Sequence, residues 1–138
     1  MKEQKQKLKV ILDTNILVSS ILGKSFPYYI VNGLVLRNRI LMCVSDKLLF
    51  EYADVLTRSK FKKNINFQFI ADELLKFIIE NALHFEPTIT LSIIKDESDN
   101  RLLELADVSN ADYLVTGNTN DFIISQYKTT KIISPFDF

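Results

Sequence analysis

The sequence predicts an α/β protein of three layers, with a mostly parallel central sheet of four to five strands between helices. Three observations predict it. Short, unbroken apolar runs, such as Val10-Ile11-Leu12 and the stretch from Ile40 to Val44, fit strands buried on both faces. Longer segments between them place apolar residues at helical spacing. The two kinds of segment alternate with short connections, the pattern of a parallel sheet wound through covering helices. The 138 residues are expected to form one domain, because single cores usually occupy ~100–200 residues.

The first strand, 9–12, stops abruptly at Asp13-Thr14-Asn15. Residues 16–22 read as a short helix ending near Gly23, and Pro27 opens another over 28–37. A second buried strand over 40–44 leads to Ser45, a good N-cap, with Leu48, Leu49, Tyr52 and Leu56 then recurring at helical spacing to about 59. A polar, basic turn over 58–63 separates this helix from an amphipathic one over 69–83, with Ile70, Leu74, Phe77 and Ile78 on one side. Residues 85–94 suit a short strand and a loop around Pro87, and 96–108 a helix. A strand over 113–116 ends at Gly117-Asn118, followed by a short helix at 122–126 and a last strand at 131–134.

Composition narrows the chemistry. A hydrophobic fraction of 47% with 25% charged residues is ordinary for a globular chain. Lys plus Arg is 17 and Asp plus Glu is 17, so bulk basicity gives no argument for nucleic acid. Cys43 alone cannot close an intrachain disulfide, and His84 alone cannot build a His-rich zinc site. Glycines only at 23, 33 and 117 leave no phosphate-cradling loop. No apolar run reaches the ~18–20 residues of a membrane span, and the basic start lacks a signal-peptide core. A soluble, cytoplasmic protein is expected, with any chemistry built on carboxylates.

In an open parallel sheet the functional crevice lies beyond the carboxyl ends of the strands. Asp13 follows the first strand at once, Asn118 and Asp121 follow the strand at 113–116, and Asp96 and Asp99 open the helix at 96–108. Glu51 lies roughly 40° around its helix from Val55, on the border of the apolar face, from which a carboxylate reaches over a sheet edge. Each has a duller role: Asp13 or Asp96 as a cap, Asp99 as a helix-start acid, Glu51 as a solvated acid, Asp121 as a turn residue. Asp54, Asp72, Glu73, Glu80, Glu104 and Asp107 are assigned to solvated faces. His84 is assigned to a loop or strand edge, and Cys43 to the core as a small hydrophobe. Convergence is the functional argument, because like charges gathered at strand ends need a compensating cation. Oxygen-only ligands favour Mg²⁺ or Mn²⁺.

Five segments in order carry a resemblance: Val10-Ile-Leu-Asp-Thr-Asn-Ile-Leu-Val-Ser19, Ser45-Asp-Lys-Leu-Leu-Phe-Glu-Tyr52 with Val55-Leu56, Lys95-Asp-Glu-Ser-Asp-Asn100 with 102–106, Ala111-Asp-Tyr-Leu-Val-Thr-Gly-Asn118, and Ile133-Ser-Pro-Phe-Asp-Phe138. Together they resemble the PIN-domain ribonucleases, in particular toxin components of bacterial toxin–antitoxin pairs. The resemblance implies a metal-dependent endoribonuclease acting on RNA, with Asp13, Glu51 and Asp99 as metal ligands. It places Thr14, Asn15 and Thr116 in supporting positions and implies a possible homodimer and a small antitoxin partner. Many family members carry Asp where this chain has Asn118, so the fourth acid falls to Asp121 or the site has three carboxylates. The basic run Arg58-Ser-Lys60-Phe-Lys62-Lys63, with its aromatic, suits RNA phosphates and stacked bases or a solvated loop. Two rival readings are a non-catalytic PIN-fold module binding protein or RNA, and a phosphoacceptor domain of the response-regulator kind. The single Asp13 and the neutral Met42-Cys-Val-Ser45 strand end fit the latter poorly.

Overall fold

In the computed structural model, which describes residues 6–138, the first strand is β1 (Lys9–Leu12). Val10, Ile11 and Leu12 are all fully buried, although successive side chains of a strand point to opposite faces. Both faces of this strand are therefore covered, as the unbroken apolar run predicts. Helices α1 (Thr14–Leu22) and α2 (Phe26–Ile30) follow, the latter with Pro27 in its first turn. Next come β2 (Leu41–Val44), α3 (Asp46–Leu56), α4 (Ser59–Lys62), α5 (Ile65–Asn81) and β3 (Leu83–His84). The chain ends with α6 (Glu97–Ser109), β4 (Tyr113–Val115), β5 (Gln126–Tyr127) and β6 (Thr130–Ile133).

The six strands form one sheet in the order β3-β2-β1-β4-β6-β5. Every ladder is parallel except β5 with β6. From β1 the chain moves on to β2, and from β4 to β6 on the other side. The carboxyl ends of β1 and β4 thus flank the point where connections part, the place such sheets reserve for ligands. Asp13 and Thr116 are the first residues beyond these two strands.

The fold class is the expected one; the sheet is wider by short edge strands. Residues 122–126 do not form a helix. Thr119–Asp121 makes a single 3₁₀ turn, and Gln126 and Tyr127 pair antiparallel with Lys131 and Thr130. Phe122-Ile123-Ile124 is too short and too β-branched to nucleate a helix. Lys128, at φ 49°, turns the chain back instead. The segment expected as one helix over 28–37 is α2 followed by a wider π turn, Val31–Val35, closed by the Leu36 N–H donating to the Val31 carbonyl at 2.9 Å. The expected basic turn contains α4, whose Phe61 turns inward and stacks on Phe67 with ring centroids 4.2 Å apart. Helix α5 starts earlier than expected because Asn64 caps it, accepting from the Phe67 N–H at 3.0 Å. Its buried stripe is Phe67, Ala71, Leu74 and Ile78, which leaves Ile70 exposed and Phe77 partly so.

Two acids expected in solvent face inward. Glu104 is 4% exposed; it accepts from the Leu91 N–H at 2.8 Å and pairs with Arg101 at 2.8 Å. Asp107 accepts from the Tyr127 hydroxyl at 3.0 Å and pairs with Lys128. In both cases irregular chain or a short edge strand packs over α6, which helical periodicity cannot register. Cys43 is buried as expected, and burial pushes its thiol pKa up to about 11.

One hydroxyl joins the core to the crevice. Tyr52 is fully buried, and its hydroxyl donates to the Leu12 carbonyl at 2.5 Å, at the end of β1. Tyr52→Phe leaves that carbonyl without its donor and should destabilise the protein by about 1–2 kcal/mol. A urea midpoint equal to wild type at equal slope would show that the hydroxyl contributes nothing.

Candidate active site

The crevice is built from segments distant in sequence, each aimed by a local bond. Asp13 ends β1 and starts α1; its N–H donates to the Val115 carbonyl at 3.0 Å, locking it beside β4. The carboxylate closes no capping bond to α1. It accepts instead from the Thr116 hydroxyl at 2.8 Å, and that hydroxyl accepts from the Asn118 N–H at 3.1 Å. Asp13 is 7% exposed. Burial pushes its pKa above the usual carboxylate range, and the Asp96 charge pushes the same way. The Thr116 hydroxyl and the amides at the start of α1 pull it back.

Glu51 stands mid-way along α3, half-buried, as its border position predicts. The Thr14 hydroxyl donates to its Oε2. Thr14 and Thr116 thus do parallel work, each turning a hydroxyl onto one acid. Neighbouring Tyr52 feels both charges: its hydroxyl pKa lies well above the ordinary value, first from burial, then from Asp13 and Glu51.

Asp99 occupies the first turn of α6 and is 7% exposed. Its helix start is fixed twice. Asp96 caps it, accepting from the Ser98 N–H at 2.8 Å. Buried Asn100 grips the preceding loop, accepting from the Ile93 and Ile94 amides at 3.0 and 2.8 Å and donating to the Ile94 carbonyl at 2.7 Å. Asn15 and Asn118 are exposed at the crevice rim. The backbone of Asp121 closes the 3₁₀ turn beyond Asn118; its side chain lies outside what the structure describes.

Asp13, Glu51, Thr14 and Thr116 are therefore brought together, with Asp96 near enough to raise the Asp13 pKa. The described residues whose ligand atoms all lie within 4.8 Å of one another are a different trio, Asp46, His84 and Glu86, at the ends of β2 and β3. The exposed trio is already bonded internally: His84 Nε2 meets Asp46 at 2.9 Å and Glu86 at 2.8 Å. The His84 bond holds the Glu86 carboxyl below its usual range. His84 sits on an edge strand, as expected.

The sequence named the candidate acids and, through the resemblance, Thr14 and Thr116, but not the bracing roles of Tyr52 and Asn100. Tyr52 counted only as an apolar position, yet a buried hydroxyl always needs an acceptor. Asn100, inside a helix, had no local signal, because its partners come from irregular chain. In α4, Arg58 pairs with Asp54 at 3.7 Å while Lys60, Lys62 and Lys63 stay exposed. Phe61, 8% exposed beneath them, cannot stack on RNA bases as its exposed neighbours suggested.

A mostly parallel sheet with an acid-lined crevice at its switch point marks an open α/β fold with a ligand-ready end, and comparison narrows it. The profile of the PIN domain family matches residues 9–120, and the chain belongs to that family. It is similar to uncharacterized protein MJ1680 of Methanocaldococcus jannaschii, at 25% identity over 117 residues, which cover 85% of this chain and 75% of that protein. Family membership points to a nuclease-type function. Among the described residues, no helix is long and apolar enough to cross a membrane.

Proposed function

We propose that this protein, as a single PIN-like domain over residues 1–138, is a Mg²⁺- or Mn²⁺-dependent endoribonuclease whose ion is held by Asp13, Glu51 and Asp99. The observation that carries the reading is the pair of threonine clasps, Thr116 on Asp13 and Thr14 on Glu51. They fix two carboxylates from different elements at the switch point, with buried Asp99 on the helix that packs against β1 and β2. The donor set fits such an ion: it is all oxygen, and burial beside Asp96 disfavours the Asp13 anion unless a cation compensates. When bound, the ion supplies an acidified water and neutralisation of charge on the phosphodiester. The protein's own part is to hold the acceptors still. Asn118 is tied through Thr116 to Asp13; it or Asp121 places the ion or the nucleophile, Asn118 without adding charge. Purified protein should cut single-stranded RNA with Mg²⁺ or Mn²⁺ and stop in excess chelator. Undiminished cutting in chelator overturns the reading.

The same reading makes the protein the cytoplasmic toxin of a toxin–antitoxin pair, with a small antitoxin partner and a homodimeric form. A groove of about 450 Å³, lined by Ile21, Leu36, Phe69, Ile70 and Phe77 between α1 and α5, supports a protein partner. A small DNA-binding protein encoded next door would support the pairing. The second reading, a non-catalytic PIN-fold module, is favoured by Asn118 at an acid's position.

Arg58, Lys60, Lys62 and Lys63 remain the proposed phosphate contacts of α4. Replacing all four with Gln should weaken RNA binding and flatten its salt dependence, by about 0.7 in log–log slope per phosphate lost. An unchanged slope would make α4 a solvated surface only.

A further inference from the structure

Two small clefts lie side by side at the amino end of α3, sharing lining residues. The first, of about 60 Å³, is lined by Ser45, Lys47, Glu51, Ser98 and Arg101 among others. The second, of about 180 Å³, shares Ser45, Lys47 and Arg101 and runs on to the 88–90 loop. Because Glu51 lines the first, the paired clefts border the acidic crevice. Their walls carry two cations and, besides Glu51, the carboxylates Glu86 and Glu104. Glu104 is engaged by Arg101 at 2.8 Å, and Glu86 accepts from the Asp46 N–H at 3.1 Å and meets His84 at 2.8 Å. The Arg101 guanidinium is anchored on its inner side, its Nη2 also donating to the Leu91 carbonyl at 3.3 Å, and is one-third exposed. Its Nε is a buried donor without a partner. Lys47 is exposed on the first turn of α3.

We infer that these paired clefts carry the RNA strand away from the acidic crevice, with Lys47 and the outer edge of Arg101 binding the phosphate next to the one cut. This rests on the ribonuclease reading and adds the path of the substrate. Like charges at Asp13, Glu51, Asp96 and Asp99 repel a polyanion, so a strand needs cations beside the crevice to stay in register. Lys47, a point charge on a flexible stem, follows the phosphate; Arg101, pinned by Glu104, gives it a fixed seat. Lys47 is a binding and positioning residue and takes no part in bond breaking.

Lys47→Gln tests this, with Lys47→Arg as the conservative rescue and Lys131→Gln on β6 as a distant control. Binding of a short labelled single-stranded RNA is followed by anisotropy against salt, in Ca²⁺ in place of Mg²⁺, and cleavage is followed in Mg²⁺. Lys47→Gln should lower the log–log salt slope by about 0.7, the share of one phosphate on a single strand. It should raise KM several-fold with kcat within about twofold, since a contact made equally to substrate and transition state acts on binding. Lys47→Arg should restore the slope. An unchanged slope and KM in Lys47→Gln, or equal losses in Lys131→Gln, overturns the path. If wild type binds RNA without cutting it, the ribonuclease reading fails while the slope still decides the path. If wild type does not bind RNA, both fail.

Discussion

Asp13→Asn is expected to lose at least about 10²–10³-fold in RNA cleavage, the range found when one preorganised electrostatic group leaves an active site. The change is nearly isosteric. The Asn oxygen can still accept from the Thr116 hydroxyl, which meets Asp13 at 2.8 Å, and the backbone bond to Val115 does not involve the side chain. What disappears is one negative charge facing the ion. The loss should fall on kcat at saturating RNA, with an unchanged far-UV circular dichroism spectrum. Thr116→Val, which removes the clasp and leaves the charge, should lose about 10–100-fold, as for other residues that orient a metal ligand. Full activity in Asp13→Asn would remove Asp13 from the site.

The second large effect is on stability. In chelator, wild type carries a buried Asp13 whose anion is disfavoured by burial and by Asp96. Its folded pKa lies above its unfolded one, so its contribution to stability is full below the ordinary carboxylate range. That contribution is lost as pH rises through the raised value. Asp13→Asn lacks this dependence and should melt at or above wild type at neutral pH. Mn²⁺ at about 100 times its Kd should stabilise wild type by about 2.7 kcal/mol, which for a chain of this size raises Tm by about 8–10 °C. Asp13→Asn should gain far less. Asp54→Asn, on the exposed side of α3 where the Asp54 carboxylate pairs with Arg58 at 3.7 Å, should behave as wild type in both respects. Should Asp13→Asn melt well below wild type in chelator, with Mn²⁺ shifting both proteins equally, Asp13 is a structural residue and not a ligand.

Where one physical signal dominated, the sequence was readable. β1, β2 and β4 are continuous apolar runs, and Ser45 and Asp96 cap α3 and α6 as their residue types suggest, accepting from Leu48 at 3.2 Å and Ser98 at 2.8 Å. Legibility ended where a residue answers to something far along the chain. Glu104 is ordinary on a helical wheel and buried only because Leu91 and Arg101 meet it. The 126–127 strand has no hydrophobic periodicity of its own and exists because β6 offers it an edge. Phe61 sits among lysines, yet Phe67 draws it under the surface. For the candidate site, chain position marked Asp13 and the helical angle marked Glu51. The hydroxyls that aim them belong to Thr14 and to a strand end a hundred residues away.

That last separation bears on how the protein is born. The bond from Thr116 to Asp13 spans 103 residues, and β1 pairs with β4 only after β2 and β3 have been made. Helices α1 to α5 can form and pack before then, because all of them precede β4 in the chain. The crevice cannot. Until β4 clears the ribosome, Asp13 lacks both the Val115 carbonyl and the Thr116 hydroxyl, and its carboxylate stays solvated. A chain released before residue 116 would carry Asp13, Glu51, Asp99 and all six α-helices yet lack the Thr116 clasp on Asp13. Assembly of the crevice thus waits until most of the chain has emerged.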